Sequence, residues 1–173
     1  ANGPTHHIGL SATPARLDGR GLANVFGSLV RGPSVAWLIA NRFLSPYRCY
    51  APTAPDLTGV HIRHGDYVAG ELAPIMDTDQ IIGNIVGHYK RLANGKRAIY
   101  YGVSVEHSRH IAATFNASGI PARHLDGASD TGERTAAAKD FAAGRLLVLT
   151  NVEIFGEGFD LAAQAGTDVT VDC

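Results

Sequence analysis

The sequence predicts an α/β fold in which helices cover both faces of a parallel β-sheet. From residue 78 onward, helix and strand patterns alternate in the order α-β-α-β-α-β-loop-β, which is typical of parallel sheets with right-handed crossovers. Residues 145–160, RLLVLTNVEIFGEGFD, open with an unalternating apolar run. Such a run predicts a strand buried on both faces. Small polar residues and glycines follow it, where open α/β sheets bind ligands.

The composition is that of a globular domain. Hydrophobic residues make up 45% of the 173 residues, which is ample for a core, and the length suits one domain or one domain plus a fragment. The net charge of -1 gives no overall support for nucleic-acid binding. Cys49 and Cys173 lie far apart in the sequence, which fits a reducing cytoplasm. No apolar run has membrane-spanning length, and no signal-peptide pattern is present, so we expect no membrane partner.

The first 76 residues carry the weaker patterns. We expect a short strand at residues 7–10, a helix at 22–30, and a second helix from the N-cap Ser34 to about residue 44. Residues 47–51 predict a strand. Residues 52–76 contain three prolines and three glycines and predict a loop-rich connector, with a short strand at 60–62.

The remainder of the chain has regular patterns with clear helix signals. Asp77 and Gln80 have capping-box spacing before a helix that ends near Gly95, and Asp130 and Glu133 repeat that spacing. Ser104 is a suitable N-cap for the helix between them. The expected elements are a helix to about 94, a strand at 98–103, a helix at 105–118, a strand at 121–125, a helix to about 143, a strand from 146 and a last strand at 168–172.

Taken in order, several segments resemble the superfamily-two helicases. Residues 10–14, LSATP, resemble the Ser-Ala-Thr motif that closes the first of two RecA-like lobes in that family. Residues 98–104, AIYYGVS, resemble the strand that opens the second lobe, and residues 124–160 resemble its middle and its fifth motif. The spacing from Thr150 to Asp160 is similar to that of the bacterial and phage DNA-helicase branch, which includes the RadD-like proteins. The resemblance implies a three-layer RecA-like fold of the P-loop NTPase type.

The sequence also departs from that family. It has no GxxxxGK[ST] loop, no Asp-Glu pair at a strand end to hold magnesium, and no arginine-rich sixth motif. We therefore expect a fragment: residues 1–45 as the tail of lobe one with connecting helices, 46–76 as a connector, and 77–173 as most of lobe two. Phosphoryl transfer depends on the missing groups, so we predict that this chain alone does not hydrolyse ATP.

The resemblance implies four nucleic-acid-binding residues. Thr150 would offer a hydroxyl and a backbone amide to a phosphate, and Ser104 would place free helix amides near another. His124 and Gly127 would belong to a second loop that follows the backbone. Simpler alternatives stay open: Thr150 as a turn residue that bonds its own backbone, Ser104 as a plain N-cap, and His124 as a surface side chain.

It also implies a nucleotide site and a coupling segment. Gly158 would let the backbone approach ATP closely, and Asp160 would accept a hydrogen bond from its ribose, with ATP and Mg²⁺ held between the lobes of the intact protein. The alternative is a glycine turn followed by a helix N-cap at Asp160. Ser11 and Thr13 would couple the ATP state to lobe movement, or would simply end a strand.

The leading hypothesis is thus a second-lobe fragment of an ATP-dependent DNA helicase or translocase, with nucleic acid and the first lobe as partners. The alternative is a freestanding α/β scaffold for protein interaction, or a phosphate-binding domain of another enzyme. His61 and His64, and His107 and His110, are spaced three apart, but no cysteine or carboxylate cluster completes a tetrahedral set, so we expect no metal site.

Overall fold

The structure is a computed structural model, and it describes residues 7–11, 25–50, 55–155 and 166. The chain divides into two compact units, one formed by Ala1–Cys49 with Ile62–Tyr67 and the other by Tyr50–His61 with Val68–Cys173. The predicted strand at 168–172 lies outside the described residues.

The described residues of the first unit contain one short helix and one hairpin. Helix α1, Val35–Ala40, begins after Ser34, whose hydroxyl accepts the backbone N–H of Trp37 as expected of an N-cap. Strands β1, Ile62–Arg63, and β2, Asp66–Tyr67, pair antiparallel across a two-residue turn. Both turn residues, His64 and Gly65, have positive φ, as tight hairpin turns require.

Several predictions for the first 76 residues are wrong. Residues 25–30 are not helical, residues 7–10 and 47–50 form no strand, and α1 stops at Ala40. None of the described residues of this first unit is buried, and apolar periodicity without a surface to pack on does not stabilise a short helix. The connector also contains an unexpected helix, α2, Ala69–Met76, with Pro74 inside it.

The second unit contains the parallel sheet that the sequence predicts. Its strands are β3, Ala98–Tyr101, β4, Ala122–Leu125, and β5, Val148–Asn151, in the order β3-β5-β4. Both pairings are parallel, and all four residues of the central strand β5 are buried. The prediction of a strand buried on both faces is confirmed.

Helices cover both faces of this sheet, which gives three layers. Helices α3, Asp79–Leu92, and α4, Val105–Ala117, pack on the face of Val148, while α5, Thr131–Ala142, packs on the face of Leu149. The first core contains Ile82, Val86, Tyr89, Ile111, Phe115, Ile120 and Val148. The second contains Leu125, Ala137, Ala138, Phe141, Leu146, Leu149 and Phe155. This architecture is consistent with the predicted RecA-like α/β fold.

Helix ends follow the sequence signals closely, with one exception. Ser104 and Asp130 cap α4 and α5 as predicted, but α3 is capped by Thr78, one residue after the expected Asp77. Gly119 and Gly144 follow their helices with φ of 76° and 72°, the left-handed conformation in which glycine ends helices.

Candidate nucleic-acid interface

Two predicted binding segments lie at one edge of the parallel sheet. Tyr101, Asn151 and Leu125 are the last residues of β3, β5 and β4, and they stand side by side in register. The residues that follow these three strand ends form what we call the carboxyl edge. Since neighbouring strands are about 4.8 Å apart, the β3–α4 turn and the β4–α5 loop begin about 10 Å from one another.

The first segment is the turn that leads from β3 into α4. The Ser104 hydroxyl accepts the N–H of His107 at 3.1 Å, so this side chain caps the helix. The turn lies close to the helix because Gly102 has no side chain: a Cβ there would lie 2.7 Å from Ser108 Cβ. Capping uses the Ser104 hydroxyl and does not exclude a phosphate at the neighbouring helix amides.

The second segment is the loop at residues 126–130, and a hydrogen-bonded network holds it. His124 Nδ1 lies 2.7 Å from the Ser108 hydroxyl, and His124 Nε2 lies 3.1 Å from Asp126 Oδ2. The His124 side chain is only 11% exposed, so the alternative of a roleless surface histidine is wrong. His124 instead links α4 to the loop, because one ring nitrogen is bonded to Ser108 and the other to Asp126.

Asp126 organises the loop around its buried carboxylate. Its Oδ1 accepts the N–H of Ala128 at 2.9 Å, and its Oδ2 also accepts a bond from Arg109 at 3.0 Å. The hydrogen bond from His124 is the main cause that lowers the pKa of Asp126, followed by the Ala128 N–H, while burial opposes the shift. The carboxylate is therefore ionised at neutral pH and its oxygens are satisfied by donors.

Gly127 is exposed, as are Ala128 and Asp130 of the same loop. Its φ lies outside the left-handed region, and a Cβ built on it would meet no atom within 4 Å. Neither backbone strain nor packing within the described part of the chain therefore requires glycine here. The Arg134 guanidinium donates to the carbonyl oxygens of Asp126 and Gly127 at 3.1 Å, which leaves the outer side of the loop open.

Hydrogen bonds connect Ser108, His124 and Asp126 in the order of a hydrolase triad, but no substrate could reach the serine. Ser108 is 0% exposed, and Gly102 packs directly against it. A nucleophile must reach its substrate, so we assign this trio a structural role. No local sequence pattern predicts this trio, because Ser108 and Asp126 are 18 residues apart and are joined only where α4 contacts β4. The local sequence signal at this loop is the Asp126-Gly127 pair, which is typical of a turn.

Thr150 does not occupy the exposed strand end that the sequence analysis expected. Strand β5 extends to Asn151, and Thr150 is 0% exposed within it. Its hydroxyl donates to the Ser108 carbonyl oxygen at 2.8 Å, a bond that joins the sheet to α4. The expectation of an available hydroxyl is therefore wrong, and so is the alternative of a self-bonded turn residue.

Asn151, which the sequence analysis passed over, shapes the segment after β5. Its side-chain amide donates to the Tyr100 carbonyl oxygen at 3.0 Å, and its side-chain oxygen accepts the N–H groups of Ile154 and Phe155 at 3.3 Å. This buried side chain holds the backbone of residues 154–155, while residues 156–160, among them Gly158 and Asp160, lie outside the described residues.

His107 is a buried histidine in the first turn of α4. Its Nδ1 accepts the N–H of Val103 at 3.4 Å, while Nε2 is buried without a hydrogen-bond partner. Burial is the main cause that lowers the pKa of His107, and it outweighs the opposing charge of Asp77. His107 is therefore neutral at pH 7 and packs edge-on against the Tyr100 ring.

The remaining predicted residues and the histidine pairs lie elsewhere. Ser11 is exposed and belongs to the first unit, while Thr13 lies outside the described residues. His61 contacts Glu71 at 3.0 Å and His110 contacts Asp77 at 2.9 Å. Within the described ranges, no three His, Cys, Asp or Glu residues are grouped so as to hold a metal ion. In that same part of the chain, no helix combines the length and apolarity needed to cross a membrane.

Comparison with known proteins gives three relevant relatives, while no family model matches the chain. The chain is 37% identical over 154 residues to the "51.5 kDa protein" of Lactococcus phage (isolate 7-9), covering 89% of this chain and 34% of the phage protein. It is 27% identical over 158 residues to the Saccharomyces cerevisiae "Putative ATP-dependent helicase IRC3", covering 89% of this chain and 23% of the yeast protein. It is 28% identical over 157 residues to the Schizosaccharomyces pombe "Putative mitochondrial ATP-dependent helicase irc3", with coverage of 89% and 26%. The chain therefore spans about a quarter to a third of these relatives and is distantly similar to two proteins named as helicases.

Proposed function

We propose that this chain is the second RecA-like lobe of an ATP-dependent DNA helicase or translocase and that its carboxyl edge binds the nucleic-acid backbone. The observation that carries the proposal is the shared edge of two phosphate-suited segments, the Ser104 turn and the 126–130 loop. The helicase names of the two yeast relatives support it, since the alignments include 89% of this chain.

The chemistry of the edge suits phosphates rather than bases. Helix α4 begins at Ser104, and the N-terminus of a helix presents free amides and the positive end of the helix dipole. The 126–130 loop presents an exposed glycine in a frame held by His124, Asp126 and Arg134. Backbone amides and arginines recognise phosphates without reading sequence. We therefore expect binding that is independent of sequence and sensitive to salt.

The site assigned here differs from the one predicted from the sequence. The proposed interface keeps Ser104 and Gly127, and it keeps His124 as a positioning residue. Thr150 is no longer a proposed ligand, because its hydroxyl is bonded to Ser108 in the core. In the intact protein, which would hold ATP and Mg²⁺ between its two lobes, Gly158 and Asp160 would contact the ATP, and Ser11 and Thr13 would couple that site to lobe movement. The RadD-like branch and a cytoplasmic location also belong to the proposal.

The test is direct binding of the 173-residue chain to a fluorescent single-stranded oligonucleotide at increasing salt. The logarithm of the affinity should fall linearly with the logarithm of salt, by about 0.7 for each phosphate contacted. Gly127→Ala should lower the affinity up to about tenfold, the equivalent of one hydrogen bond, because its methyl group fills the open side of the loop. The control is Gly87→Ala in α3, where a new Cβ also meets no atom within 4 Å.

Two outcomes contradict the proposal. One is an affinity that does not change with salt, which would exclude phosphate contacts. The other is the absence of binding even at low salt, which would favour the alternative of a protein-interaction scaffold. The same preparation tests the expected lack of ATPase activity, since metal-dependent ATP turnover by the pure chain would refute that part.

A further inference from the structure

Arg109 is the one guanidinium that reaches the 126–130 loop from α4, and its role is assigned neither by the sequence analysis nor by the relatives. Its Nη2 lies 3.0 Å from Asp126 Oδ2, and its side chain is 63% exposed. Asp126, by contrast, is only 8% exposed at its side chain. One edge of the guanidinium is thus held by a buried anion while the remainder faces solvent.

We propose that Arg109 is a phosphate-binding residue of the carboxyl edge, oriented by Asp126 toward the nucleic-acid backbone. This inference rests on the proposed function and names one ligand of that interface. Arginine has five N–H donors in a planar fork that matches the oxygens of a phosphate. Within the described part of the chain, the bond to Asp126 is the only hydrogen bond that the Arg109 side chain makes, so most of its guanidinium donors remain available.

Asp126, the anchor of Arg109, is itself held by several hydrogen bonds. Asp126 is held by His124 Nε2 at 3.1 Å and by the Ala128 N–H at 2.9 Å, and His124 is held in turn by Ser108 at 2.7 Å. Ser108 belongs to the same helix as Arg109, one residue earlier. This closed arrangement limits the freedom of the arginine head group. Less rotamer entropy is lost when a preorganised side chain binds a ligand.

The other arginine that contacts this loop is Arg134 of α5, and its guanidinium is already bonded to the backbone of the loop. Arg134 donates to the carbonyl oxygens of Asp126 and Gly127, and its Nε is buried without a partner. Arg134 therefore supports the loop from within, and Arg109 is the arginine that meets an approaching phosphate. Next to the open surface of Gly127, the guanidinium and the loop amides would contact the same strand of nucleic acid.

The chain offers a matched control in Arg145. Its side chain is 65% exposed and it is ion-paired with Asp140 at 2.8 Å, which closely resembles the state of Arg109. Arg145 precedes β5 in the sequence, so it lies at the opposite edge of the sheet from Asp126. Arg109→Gln and Arg145→Gln therefore remove the same charge and one ion pair of an exposed arginine each, at opposite edges.

The experiment measures oligonucleotide affinity from about 20 mM to about 200 mM salt for both variants and for Arg109→Lys. Arg109→Gln should reduce the salt slope by about 0.7, so its affinity deficit shrinks about fivefold across this tenfold range. Arg145→Gln should keep the wild-type slope. Arg109→Lys should keep most of the slope, because it retains the charge, but bind more weakly than wild type, because it loses the fork geometry.

Each outcome decides the inference. Equal slopes for wild type and Arg109→Gln would overturn it while leaving the proposed function in place. Equal losses in the Arg109→Gln and Arg145→Gln variants would also overturn it, since the effect would then be general electrostatics. No binding by the wild type would instead refute the proposed function. Thermal unfolding of each variant confirms that a lost slope reflects a lost contact in folded protein.

Discussion

Replacing Gly102 by alanine tests whether the close approach of the β3–α4 turn to α4 is required. The added Cβ would lie 2.7 Å from Ser108 Cβ and 3.1 Å from Ser108 Cα and N. Two of these three atoms are backbone, so no rotamer change relieves the clash. Ordinary contact begins at 3.4 Å, so Gly102 and the first turn of α4 must move apart by 3.4 minus 2.7, or 0.7 Å.

Such a displacement would stretch the hydrogen bonds that Ser108 makes. Ser108 accepts the Thr150 hydroxyl at 2.8 Å through its carbonyl oxygen, and its own hydroxyl lies 2.7 Å from His124. A 0.7 Å shift along either direction would stretch these bonds to the limit of a hydrogen bond. Overpacking in a well-packed region costs about 1–3 kcal/mol. For a chain of this size, that is a decrease in Tm of about 3–10 °C.

The assay is urea denaturation followed by circular dichroism, with unchanged m-values as the check that both states are comparable. Gly87→Ala is the control, because its Cβ meets no atom within 4 Å in α3 and alanine there should add up to about 1 kcal/mol of stability. If Gly102→Ala is as stable as the wild type, the packing argument is refuted, because the turn and α4 would then accommodate a methyl group at no cost in stability.

Three further changes test the buried polar groups. His107→Asn should flatten the pH dependence of stability. Because burial lowers the pKa of His107, the unfolded chain binds a proton that the folded chain does not as pH falls through about 6.5, and folding loses up to about 1.4 kcal/mol per pH unit. Urea midpoints between about pH 7.5 and 5.5 measure this slope. An equally steep slope in the variant would assign the titration to another group. Thr150→Val should lower the free energy of unfolding by about 1 kcal/mol, because it deletes the bond to Ser108, and should leave the salt slope of oligonucleotide binding unchanged; a reduced slope would restore Thr150 as a phosphate ligand. Asp130→Ala should cost about 1 kcal/mol in urea denaturation, because the N–H of Glu133 loses its acceptor, and a neutral result would show that the cap is dispensable.

Local patterns were sufficient where each residue acts through its sequence neighbours. Ser34, Ser104 and Asp130 cap their helices as predicted because the acceptor and the N–H it meets lie three residues apart. The apolar run at residues 146–149 predicted the buried β5 because a central parallel strand faces helices on both sides. Patterns failed where no core stabilises them, as at residues 25–30.

The sequence by itself determined the order of elements from residue 78 to the end of β5 at Asn151, the caps at Ser104 and Asp130, and the α/β class, all of which depend on residues close in the chain. The tertiary structure alone decided what the carboxyl edge contains. Packing of α4 against β4 brings Ser108 and Arg109 to His124 and Asp126, and extension of β5 buries Thr150 instead of exposing it. These contacts join residues that are 16 to 42 positions apart. Their geometry depends on how closely the helix approaches the sheet, a distance set at Gly102 by contacts that no local pattern specifies.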